Sequence, residues 1–65
     1  MHNATKNILI DLMGLDVNDS DYAHKGRELK ERVAILIGDV ERVEAIPVDA
    51  NLGATLLEIV ENFQN

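Results

Sequence analysis

The sequence predicts an all-α fold: a small bundle of three amphipathic helices, over about 4–15, 20–46 and 50–63, in one domain spanning 1–65 and completed by oligomerisation. Three observations carry this expectation. Apolar residues recur at helical spacing in each segment. The one proline, Pro47, stands at a boundary between segments. The middle segment also keeps a seven-residue apolar register along its whole length.

In the first segment, "ATKNILIDLMGL", Ala4, Ile8, Leu12 and Leu15 form the stripe, Leu9 and Met13 widen it, and Ile10 falls outside it. Asn3 or Thr5 suits the start as a cap, and Gly14 weakens the end. In the middle segment Tyr22, Leu29, Leu36 and Val43 are spaced by sevens, and Gly26, Val33 and Val40 interleave with them. The two sets make a heptad seam with β-branched residues at one position and mostly leucine at the other. Ser20 or Asp19 is the expected cap, Glu31, Glu41 and Arg42 fall on the opposite side, and Ile46 before Pro47 is pushed out of helical geometry. A rival reading makes "VAILI" (33–37) one strand of a hairpin that turns at Gly38-Asp39. That pairing sets Ile35 against Arg42 and Leu36 against Glu41, so both sheet faces are mixed and the helix sorts the residues better. In that helix Gly38 is expected to admit a close neighbour or simply to be tolerated. The third segment buries Leu52, Leu56, Ile59, Val60 and Phe63 on one face, with Asp49 or Asn51 as its cap.

A chain of 65 residues without cysteine cannot use disulfides to support a small core. Association with a partner, first of all a second copy as a homodimer, is therefore expected. The net charge of −6 disfavours direct binding to nucleic acid or to an anionic membrane and favours basic partners. The start of the chain has no basic-then-apolar leader pattern and no apolar run long enough to cross a bilayer, so a cytoplasmic protein is expected.

Few residues suggest chemistry. In "LDVNDSDY" (15–22), Asp16, Asn18 and Ser20 alternate as the first ligands of a calcium loop do. Such a loop needs glycine at its sixth position and glutamate at its twelfth, and Asp21 and Arg27 stand there instead. The stretch therefore reads as a helix-capping connection. His2 and His24 lack a ligand-spaced companion, and Ser20 lacks a base nearby in sequence. No catalytic residue, metal or cofactor is expected.

The charges of the middle segment are more informative. Lys25, Arg27, Lys30 and Arg32 make its first half basic, and Asp39, Glu41 and Glu44 make its later part acidic, which opposes the helix dipole. A solvated face with no pairing role is one reading; in the other, an antiparallel partner helix would set the basic half against the acidic half. Tyr22, Leu29, Val33, Leu36, Val40 and Val43 then form the expected interface, with those seven charges pairing around it.

The runs "LIDLMGLDV" and "IGDVERVEAI" followed by "PVD" resemble the GatC-like, AtzG-type small accessory subunits of amidase complexes, over roughly residues 8–50. The resemblance implies a non-catalytic subunit that wraps and stabilises a larger amidase. The chain departs from that pattern in a longer interhelical stretch and in a helical rather than proline-rich tail. The residues themselves favour a non-enzymatic, acidic, self-associating regulator or adaptor. An inhibitor that occupies a basic groove of a host protein is a further alternative.

Overall fold

The structure, a computed structural model, describes residues 3–64. It is all-helical, with no strand among the described residues, and forms a small bundle of four helices: α1 (Asn3–Met13), α2 (Tyr22–Ile37), α3 (Val40–Glu44) and α4 (Leu52–Gln64). Helix α2 is the hub, packing against each of the other three, while α4 also packs on α1.

The core follows from helical spacing. Ile8 and Leu12 of α1, Leu29 and Val33 of α2, and Leu52, Leu56 and Val60 of α4 each recur four residues apart and are buried together. Val43 of α3 and Ala34 of α2 join them. The core is aliphatic: Tyr22 is half-buried, and Phe63, expected inside, is exposed. Gly26 is buried where α2 meets the chain entering α4. A Cβ there would lie 2.7 Å from Leu52 Cδ2 and 3.2 Å from Val48 Cγ1, so a larger residue would force the buried Leu52 side chain to shift.

The middle segment departs from the expected continuous helix over 20–46. The chain breaks at Gly38, whose φ of 71° is left-handed. The N–H groups of Gly38 and Asp39 both donate to the Ala34 carbonyl, at 2.9 and 3.2 Å, closing α2 in the manner of a glycine C-cap. Asp39 Oδ1 then accepts the Arg42 N–H at 3.2 Å and starts α3. Gly38 thus terminates a helix, and nothing lies within 4 Å of where its side chain would be, so it admits no close neighbour. The hairpin alternative does not occur, since 33–37 is the last part of α2 and the turn joins two helices.

The other boundaries shift by small amounts for local reasons. α2 starts at Tyr22 after Asp21, not at Ser20 or Asp19, because Asp19 Oδ1 accepts the Asp21 N–H at 2.8 Å and the chain is still turning there. Thr5, within the first turn of α1, is buried and does not stand before the helix as a cap. α1 ends at Met13, and Gly14 donates to the Ile10 carbonyl at 3.1 Å. Before α4, Asp49 accepts the Asn51 N–H on its carboxylate at 2.9 Å and the Leu52 N–H on its carbonyl at 3.2 Å.

Candidate protein-interaction surface

The acidic loop between α1 and α2 uses its carboxylates on itself. Asp16 Oδ1 accepts the Asn18 N–H at 2.9 Å and Asp19 repeats the pattern with Asp21, giving two successive Asx turns. Lys25 donates to the other Asp19 oxygen. That hydrogen bond, helped by the Asp21 N–H, holds the Asp19 carboxyl below its ordinary range, and the same contact raises Lys25. Among the described residues no three histidine, aspartate or glutamate side chains converge as metal ligands do. His24 lies 3.4 Å from Glu28 one turn along α2, both exposed, and His2 lies outside the described residues.

The basic half of α2 meets its complement within the chain. Lys30 Nζ donates to the carbonyls of Glu44 at 3.1 Å and Ile46 at 2.6 Å, so α3 runs back along α2 and its C-terminal end rests on a cation. Those carbonyls have no partner inside α3, and positive charge is favoured there. Arg32 bridges to Asp11 of α1 at 2.6 Å. Lys25, Lys30 and Arg32 are therefore engaged, and Asp39 serves as a cap. The side chains of Arg27, Glu31, Glu41 and Glu44 make no such bond with another described residue.

The apolar stripe is divided in the same way. Leu29, Val33 and Val43 face the chain's own core. Leu36 and Tyr22 are half-buried, the tyrosine hydroxyl donating to the Asp49 carbonyl. Val40 points outward and is 51% exposed. Ile35, 72% exposed, is its neighbour across the Gly38 turn. Together with Ala34 they line a groove of about 430 Å³ between α2 and α3, whose remaining walls are Arg27, Lys30, Glu31 and Glu44. A shallower groove of about 380 Å³, between α1 and α2, lies on the other side of Ile35 and is lined by Ala4, Asn7, Ile8, Arg32 and Leu36. Ile35 is thus a ridge between two grooves.

Ile35 lies off the heptad seam and so outside the interface expected from it. That is also the signal that could have found it, since an apolar residue off the buried stripe must face out. Ile10, which falls outside the first stripe, follows the same rule at 55% exposure. The surface offers apolar contact and charges of both signs. No helix among the described residues is long and apolar enough to cross a membrane. No family model matches the chain, and neither a curated protein nor a solved structure matches it.

Proposed function

We propose that this chain is a non-enzymatic interaction module that associates with a second copy of itself through the surface around Ile35 and Val40. The observation that carries the reading is the make-up of the groove beside them, where apolar Ala34, Ile35 and Val40 adjoin Arg27, Glu31 and Glu44, whose charges are unpaired. A two-fold interface brings one patch against itself, so charges on that patch can pair across it only where both signs are present. A chain of net charge −6 repels a copy of itself over most of its surface. A patch carrying an arginine beside two glutamates is where two copies can meet without that penalty.

Sedimentation velocity across a wide concentration range tests the reading. The wild type is expected to form a dimer and Ile35→Glu a monomer with an unchanged circular dichroism spectrum, because Ile35 is outside the core. A wild type that stays monomeric at millimolar concentration contradicts it. A second reading, an inhibitor that binds a basic groove, draws on the acids of α3 and α4: Glu41, Glu58 and Glu61 are exposed and make no ion pair with another described residue. A monomer that captures a basic host protein, and loses it with Glu58→Lys and Glu61→Lys together, is the result that selects it.

A further inference from the structure

We infer that the second copy associates by exchanging residues 40–64, with Gly38-Asp39 as the hinge. The inference rests on the self-association proposed above and adds its geometry. The heptad seam of Gly26, Val33 and Val40 with Tyr22, Leu29, Leu36 and Val43 keeps its register through the break as though the break were absent. The sequence is therefore patterned for one helix from Tyr22 to Glu44, and the turn rests on the torsion of Gly38 and the cap of Asp39. A Cβ at Gly38 would meet nothing within 4 Å, so no side chain packs against the hinge residue itself, and α3 is held to α2 by Val43 in the core and by Lys30.

Straightening the hinge has a forced consequence. A continuous helix rises about 1.5 Å per residue, which carries Glu44 about 27 Å from Gly26. Val48 packs against Gly26, yet the four residues after Glu44 reach at most about 14 Å. Val48, Leu52 and the rest of α4 therefore cannot stay on their own α2 and must leave with α3. The vacated surface is matched by residues 40–64 of a second copy. Each Lys30 then holds the Glu44 and Ile46 carbonyls of the other chain, and each Gly26 receives the other chain's Leu52. The antiparallel helix that the charge layout calls for, supplied here by the chain's own α3, is supplied by the partner. New contacts form where the two straightened helices cross at the hinges, and Ile35 and Val40 flank that point.

Isotope-filtered NMR on a mixture of labelled and unlabelled chains tests this directly. The expected result is a set of NOEs between Gly26 of one chain and Leu52 of another. Gly38→Ala is disfavoured in the left-handed turn and favoured in a helix, and a dimer holds two such positions, so its dimer Kd is expected to fall by at least about a hundredfold. Two glycines inserted after Gly38 relax the hinge and are expected to weaken dimerisation by about tenfold, a readout that survives if the alanine variant folds poorly. A dimer whose Gly26–Leu52 NOEs stay within one chain overturns the exchange and leaves self-association standing. A wild type that is monomeric at millimolar concentration overturns both.

Discussion

Gly26 and Gly38 stand twelve residues apart in the sequence and do opposite work. Gly26 is inside a helix, buried, with Leu52 2.7 Å from where a Cβ would be. Gly38 is at a helix end, exposed, with a left-handed φ of 71° and open space around it. The first is glycine for want of room and the second for want of another torsion. The lesson is that the C-terminal half of the chain is held at two points of different kind. At Gly26 it is locked by packing, and at Gly38 it is set by a local conformational preference.

The comparison ranks the effects of substitution. Leu52→Ala empties the fully buried site opposite Gly26 and is expected to cost about 2–5 kcal/mol, enough to unfold much of so small a domain, as urea titration would show. Gly26→Ala is expected to be destabilising by about 1–3 kcal/mol, because overpacking outweighs the gain of about 1 kcal/mol in helix propensity. The double variant with Leu52→Ala should be less than additive, since the atom that Cβ strikes is gone. Additive losses would break the packing account of Gly26. Gly38→Ala, measured at concentrations too low for dimers, is expected to cost about 1–2 kcal/mol through torsion alone, and no second-site truncation should relieve it. Relief by such a truncation would mean that Gly38 too is a packing glycine. Lys30→Met sharpens the contrast at the smallest scale. It removes the cation from the α3 carbonyls and is expected to cost about 1 kcal/mol, with hydrogen exchange accelerated in α3 more than in α4.

Much of this arrangement is legible in the residues. Periodicity alone marks the buried faces of α1, α2 and α4, because Ile8, Leu12, Leu29, Val33, Leu52, Leu56 and Val60 are buried by the simple rule of one turn per step. The α2–α3 break is legible in principle. Glycine followed by aspartate is a C-cap followed by an N-cap, but the heptad seam running through it argues for continuity, and two local signals are set against seven apolar positions. The role of Gly26 is not legible, since closeness to Leu52 is a fact of the tertiary fold and leaves no mark on its neighbours in sequence. The surface is half legible. The unusual order of charges points to an antiparallel helix, but that the chain answers the need with its own α3 depends on where α2 stops. Ile35 is legible as outward-facing from its place off the seam, but its pairing with Val40 emerges only once the break is known, because the break brings Val40 back beside it.

The claim at the centre of this account is that copies of the chain meet around the Gly38 turn. Amide spectra recorded from micromolar to millimolar concentration test it most directly. Concentration-dependent changes, as moving peaks or a second set, are expected at residues 34–41 and absent at Ile10 and Met13, which are exposed and apolar but distant in the chain from the turn. Changes centred on Ile10 and Met13 with residues 34–41 unmoved, or spectra that do not change at all, would contradict it.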